Sequence, residues 1–207
     1  MPRAAVLGSP IAHSLSPVVH RAAYKAAGLK DWRYTAVKCD EAALAARLAE
    51  MRADGDWAGL SLTMPLKIAA VGLMDEVVGD AAVVEAVNTV VFGRTGLVGH
   101  NTDVAGLLGA LSEIGVTRVD APVVILGGGG AARAALAAAA ALRAPRIDLV
   151  VRVASRATPL THVARALHLR VGVTPWSAVE TTIHDAALVI ATTPREVTDP
   201  LAKRPWP

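Results

Sequence analysis

Four short stretches carry residue types able to bind and transform a small polar molecule. "GSPIAHSLSPVVH", residues 8–20, runs out of an apolar segment and offers Ser14 and Ser16. "SLTMPLK", residues 61–67, offers Ser61, Thr63 and Lys67. "EAVNTV", residues 85–90, offers Asn88 and Thr89, and "GHNTDVAGLL", residues 99–108, offers Asn101 and Asp103. Hydroxyls and amides gathered at strand ends are what a small polyhydroxy acid needs. A lysine beside a carboxylate suits chemistry that builds charge on oxygen. Hydride delivery to a ketone leaves an oxyanion, and such a pair stabilises that charge and takes part in proton transfer.

Each of these residues also has an ordinary reading. Lys67 alone is a solvated helix lysine, and Asp103 an acid favoured by a helix N-terminal dipole. Asn88 suits a turn, and Ser14 a helix cap. His13 and His20 stand without a Cys, Glu or third His at ligand spacing, so no metal is expected and His13 reads as structural. His100 is left open.

A fifth stretch is of another kind. "VVILGGGGAARAAL", residues 123–136, sets Gly127, Gly128, Gly129 and Gly130 between an apolar strand and an Ala-rich helix. Glycines let the backbone turn sharply and bring N–H groups against a pyrophosphate, and the helix N-terminus adds its positive dipole. The G-x-G-x-x-G pattern wants glycine at Ala132, where alanine is an accepted variant because it still permits close helix–strand packing. Dinucleotide sites that take NAD carry an acid about 20 residues further on, for the ribose 2′-OH. Here that place reads "LVVRVASRA", with Arg152 and Arg156 and no acid. Guanidinium forks suit a 2′-phosphate, so the expected cofactor is NADP.

The elements that must position these groups follow from periodicity and breakers. Apolar or alternating runs predict strands at residues 3–8, 33–38, 58–63, 87–92, 96–99, 122–126, 147–151, 169–173 and 187–191. Helical spacing predicts helices at 20–28, 41–53, from Pro65, 102–114, after the glycines, and 159–168. Gly93-Arg94-Thr95 reads as a hairpin-like turn. The unit at residues 122–151 has the size of a dinucleotide-binding βαβ. The expected fold class is α/β in two domains, with the boundary near the 102–114 helix.

Composition agrees. The 207 residues are 53% hydrophobic and 19% charged, a core-building balance. Aromatics are only 3%, so Ala, Val and Leu must fill the cores. Net charge is +3 with the basic residues scattered, so no nucleic-acid partner is expected. Residues 131–142 are greasy but short and contain Arg133, which reads as a buried helix rather than a membrane span. No N-terminal apolar leader is evident, and a cytoplasmic location is expected. The lone Cys39 reads as a small buried hydrophobe.

The motifs G-S-P-I-x-H-S-x-S-P-x-x-H, T-M-P-x-K, A-V-N-T, N-T-D-x-x-G and G-G-G-G-A-A-R, in this order and spacing, closely resemble shikimate dehydrogenase across about residues 4–194. The resemblance implies an N-terminal α/β substrate-binding and catalytic domain, residues 1–103. It implies a Rossmann-like NADP-binding domain, residues 104–207, with the active site in the cleft between them. The implied reaction is reversible NADPH-dependent reduction of 3-dehydroshikimate to shikimate, in aromatic amino-acid biosynthesis. By the same resemblance Ser14 and Ser16 bind the substrate carboxylate, and Thr63, Asn88 and Asp103 the ring hydroxyls, with Ser61 beside them. Lys67 and Asp103 are the catalytic pair. Gly127, Gly128, Gly129, Gly130 and Ala131 meet the pyrophosphate, Arg152 and Arg156 the 2′-phosphate, and Thr192 belongs to the cofactor site. Monomer or homodimer is expected.

The chain also departs from the family pattern. Ser61 stands where many relatives have Asn, and Val151 and Val153 where they often have Asn and Thr. After "VIATTPREV" the family continues with a D-x-x-Y-x-P segment and a G-x-x-M-L-x-x-Q helix, whereas this sequence stops at "TDPLAKRPWP". The second domain is therefore expected to be incomplete at its C-terminus. Two alternatives stay open: a non-catalytic binding relative, or an enzyme acting on quinate or an aminoshikimate.

Overall fold

The computed structural model describes residues 1–204, and the last three residues of the second domain expected above lie outside the described residues. The chain divides into two compact units, Met1–Thr102 and a second that begins at Asp103.

In the first unit the chain runs β1 (Arg3–Gly8), α1 (Ser16–Ala26), β2 (Arg33–Lys38), α2 (Glu41–Asp54), β3 (Trp57–Leu62) and α3 (Leu66–Ala69). It continues through β4 (Glu76–Val77), α4 (Asp80–Val84), β5 (Thr89–Gly93) and β6 (Gly96–His100). The sheet order is β2-β1-β3-β5-β6-β4. β2, β1 and β3 are parallel, and β5 is antiparallel to both β3 and β6. Period-2 alternation sorts the side chains of β1. Ala5 and Leu7 join Leu60, Leu62 and Val90 against Leu44, Leu48 and Met51 of α2. Ala4 and Val6 pack instead with Tyr34, Ile11 and Tyr24. Asp40 caps α2 by accepting from Ala43 N at 3.0 Å, and Gly55 ends it at φ +74°.

Helix α1 begins at Ser16, four residues before the expected start at His20. Pro17 explains the shift, because its fixed φ and missing N–H suit the first helical turn. Pro65 precedes α3 as its cap rather than opening the helix, and α3 is only one turn long. The expected hairpin forms, with Gly93 opposite Gly96 and Arg94-Thr95 as the turn. The short β4 and α4 carry too few residues to show a period.

The second unit runs α5 (Asp103–Glu113), β7 (Val123–Leu126), α6 (Gly130–Ala141), β8 (Ile147–Val151), α7 (Thr158–Ala166), β9 (Val171–Pro175), α8 (Val179–His184), β10 (Leu188–Ala191) and α9 (Arg195–Ala202). Its sheet, β10-β7-β8-β9, is parallel throughout. Strands buried on both faces read as continuous apolar runs, which is why VVIL and IDLVV are so legible. In α6 every residue from Ala132 to Ala139 is buried. Alanine supplies helix propensity and lets this helix approach the sheet closely. No helix among the described residues is long and apolar enough to cross a membrane.

Candidate active site

In the first unit the polar clusters converge on one edge of the sheet. Thr63 and Lys67 follow the C-terminal end of β3, and Ser14 and Ser16 follow that of β1. Because β5 runs antiparallel, its start, with Asn88 and Thr89, lies at that same edge. So does the end of β6, which leads into Asn101 and Thr102.

Backbone hydrogen bonds knit these segments together. Thr63 N donates to Leu7 O at 2.9 Å, and Ser9 N to Met64 O at 3.0 Å. The loops after β1 and β3 can meet because residue 8 is glycine. A Cβ there would overlap Thr63 Cγ2 and stand 2.9 Å from Met64 O. Val87 N donates to Lys67 O at 2.7 Å, Leu62 N to Asn88 O at 2.7 Å, and Asn88 N to His100 O at 3.0 Å. Lys67 and Asn88 are thereby pinned to neighbouring points of the rim.

Asn88 is 8% exposed and its amide is engaged locally. Oδ1 accepts from Thr102 N at 3.0 Å and from Thr89 Oγ1 at 2.9 Å, while Nδ2 donates to Thr102 Oγ1 at 3.0 Å. Asn101 Nδ2 donates to Ala86 O at 2.8 Å, which buries it as a strut. Asp103 opens α5 as the first residue of the second unit and is joined to the first through its peptide bond with Thr102.

The two serines of the first loop play different local parts. Ser14 Oγ accepts from Ser16 N at 3.3 Å, a local turn at the start of α1. Tyr34, absent from the candidates read off the sequence, bonds Ser61 and reaches Ser16 through the His20 ring. Its hydroxyl donates to Ser61 Oγ at 2.8 Å. Burial pushes the Tyr34 phenol up, opposed by hydrogen bonding with Ser61 and Ser16. His20 stacks on the Tyr34 ring, centroids 3.9 Å apart, and its Nδ1 lies 2.9 Å from Ser16 O. An inward tyrosine on an alternating strand hints at a buried hydroxyl needing a partner, but the pattern does not say which. Cys39 is buried, and burial pushes its thiol up.

In the second unit, three further candidate groups stand at the C-terminal edge of the parallel sheet. Gly127 follows β7 at φ +119°, a conformation open essentially to glycine alone, and a Cβ there would overlap Thr192 Oγ1. Thr192 follows β10 and ties it to β7, its N and Oγ1 both donating to Leu126 O, at 2.9 and 2.8 Å. A Cβ on Gly128 would stand 3.3 Å from Arg156 Cβ, so the glycine turn and the segment after β8 are in close approach. Gly129 caps α6, and a Cβ there would meet nothing within 4 Å. Gly130 and Ala131 begin the helix, and Arg152 and Arg156, beyond β8, are exposed.

In this sheet the strand order reverses between β7 and β10, the place where open α/β sheets bind ligands. The nearest carboxylate on β8 is Asp148. It is 7% exposed and bound to Arg146 Nη2 at 2.7 Å and Nε at 3.1 Å, so it is a structural group and not a ribose ligand. Among the described residues no group of three or more His, Cys, Asp or Glu side chains gathers as metal ligands do.

The family model described as the shikimate dehydrogenase substrate binding domain matches residues 6–90. The chain is 46% identical over 125 residues to the shikimate dehydrogenase (NADP(+)) of Streptococcus equi subsp. zooepidemicus, a match covering 59% of this chain and 42% of that protein. The crystal structure of Mycobacterium tuberculosis shikimate dehydrogenase is 35% identical with a TM-score of 0.80, covering 98% of this chain and 74% of that one. A Thermus thermophilus shikimate 5-dehydrogenase solved with NADP(H) and shikimate is 36% identical with a TM-score of 0.75, covering 93% and 69%. The chain thus matches well under two thirds of the Streptococcus enzyme's length. With this identity carried over both units of the fold, the chain belongs to the shikimate dehydrogenase family.

Proposed function

We propose that this chain interconverts 3-dehydroshikimate and shikimate with NADP as cofactor. Residues 1–103 then form the substrate-binding and catalytic domain, and residues 104–207 the cofactor domain. The carrying observation is that hydroxyls, amides and Lys67 from separate segments gather along one sheet edge, a surface suited to a small polyhydroxy acid. The Thermus relative supports the reading, since it was solved with both ligands.

The residues present fit a 2′-phosphorylated dinucleotide. The glycine turn leaves Gly129 open at the N-terminus of a twelve-residue helix. Two exposed arginines follow β8 where an NAD site would place an acid. In this reading Gly127, Gly128, Gly129, Gly130 and Ala131 hold the pyrophosphate, with Thr192 beside them. Arg152 and Arg156 hold the 2′-phosphate.

Ser14 and Ser16 take the substrate carboxylate, and Ser61, Thr63, Asn88 and Asp103 the ring hydroxyls. NADP, when bound, supplies or accepts the hydride. In the reduction direction Lys67 gives a proton to the oxygen that becomes the hydroxyl and offsets the negative charge developing there. The Asp103 carboxylate orients that hydroxyl as an acceptor. In oxidation the proton returns from the hydroxyl to Lys67. The reading takes the protein to be cytoplasmic, a monomer or a homodimer.

The test is to mix the chain with shikimate and NADP and follow reduced cofactor by absorbance, with NAD, quinate and an aminoshikimate in parallel. NADP-dependent turnover of shikimate is expected, and Lys67→Ala should lower kcat by about 10²–10⁴-fold. Binding of both ligands without turnover would overturn the catalytic reading in favour of a binding protein. Faster turnover of quinate or the aminoshikimate would move the substrate assignment.

A further inference from the structure

We propose that Tyr34 is a positioning residue for the substrate site, its buried phenol holding Ser61 Oγ in place and its ring backing His20, which pairs with Ser16 O, so that both serines are presented to substrate from one fixed side chain. The inference rests on the functional reading above and deepens it.

A serine hydroxyl carries one proton and turns freely, so by itself it recognises donors and acceptors alike. Ser61 is not by itself. The Tyr34 hydroxyl donates to Ser61 Oγ at 2.8 Å, which holds that oxygen in place and leaves its proton and one lone pair for a ligand. The phenol that imposes this is itself held. Tyr34 is 4% exposed and packs among Ala4, Val6, Ile11 and Tyr24. Its ring is stacked at 12° on His20.

The register explains how one side chain reaches both loops. β1 lies between β2 and β3, with Ala4 opposite Tyr34 and Val6 opposite Ser61. Tyr34 therefore crosses β1 beneath α1. On the α1 side its ring is backed by His20, centroids 3.9 Å apart. His20 closes the arrangement by pairing with Ser16 O. Two serines from loops 45 positions apart in sequence thus share one rigid reference.

The experiment is Tyr34→Phe, which keeps the ring and removes the hydroxyl, read by titration calorimetry with shikimate and separately with NADP. Shikimate Kd should rise about five-fold, the worth of one lost hydrogen bond, with NADP Kd unchanged. In a Ser61→Ala background the same substitution should raise shikimate Kd less than about two-fold, because the group it orients is gone. An unchanged shikimate Kd in Tyr34→Phe overturns the inference. So does an equal loss in both backgrounds, which marks a merely structural tyrosine. Wild-type protein that binds no shikimate overturns the functional reading with it, whereas binding by wild type and by Tyr34→Phe alike removes only the role of Tyr34.

Discussion

Gly8→Ala tests whether the loops after β1 and β3 form one built surface. The added Cβ would overlap Thr63 Cγ2, stand 2.9 Å from Met64 O and touch Ile11 Cδ1 at 3.4 Å. Rotating Thr63 about χ1 relieves the first clash but not the second, which is with backbone. Overpacking of this kind costs about 1–3 kcal/mol. Parting the loops also strains the bonds Ser9 N to Met64 O and Thr63 N to Leu7 O, each worth about 1 kcal/mol. The expected destabilisation is about 2–4 kcal/mol, a fall of about 1–2 M in the urea midpoint at a slope of about 2 kcal/mol/M. Either relief, loop parting or Thr63 rotation, displaces the Thr63 hydroxyl. Shikimate Kd should therefore rise about five-fold or more while NADP Kd holds. Gly59→Ala is the control, because its Cβ would meet Val90 O at 2.8 Å within the sheet and away from these loops. It should lose stability and keep shikimate affinity. Gly8→Ala with both a wild-type urea midpoint and a wild-type shikimate Kd would refute the reasoning.

Further expectations concern both units. Gly127→Ala places a side chain at φ +119° and onto Thr192 Oγ1, so NADP Kd should rise more than about ten-fold with shikimate Kd unchanged, measured by calorimetry. Arg152→Ala and Arg156→Ala should each lower the preference for NADP over NAD by about ten-fold or more, read from paired cofactor titrations, since each removes a charge-assisted bond to the 2′-phosphate alone. Asn88→Ala leaves Thr102 N without its side-chain acceptor and should cost about 1–3 kcal/mol in urea unfolding, whereas Asn88→Asp keeps an oxygen there and should cost less.

Much of the scaffold is legible in the sequence. Apolar or alternating runs between breakers mark nine of the ten strands among the described residues, and the tenth, β4, has two residues and no readable period. The glycine turn and the arginines replacing an acid after β8 are local signals, carried by residues close in sequence. The start of α1 is harder to read, because Pro17 looks like a breaker until its place in the first turn of a helix is known.

What local pattern determines, in this protein, is where strands, turns and polar clusters fall, because propensity and periodicity act over a few residues. What only the tertiary structure decided is which clusters meet. Tyr34 reaches Ser61 across an intervening strand, Asn88 holds Thr102, and Gly127 must be bare because Thr192 comes to lie against it. Those pairings depend on strand order, β2 beside β1 and β10 beside β7, which is set by burying whole sheet faces and not by any short segment. The same reason hid Tyr34: its place on the strand is a matter of period, but its partner is a matter of topology.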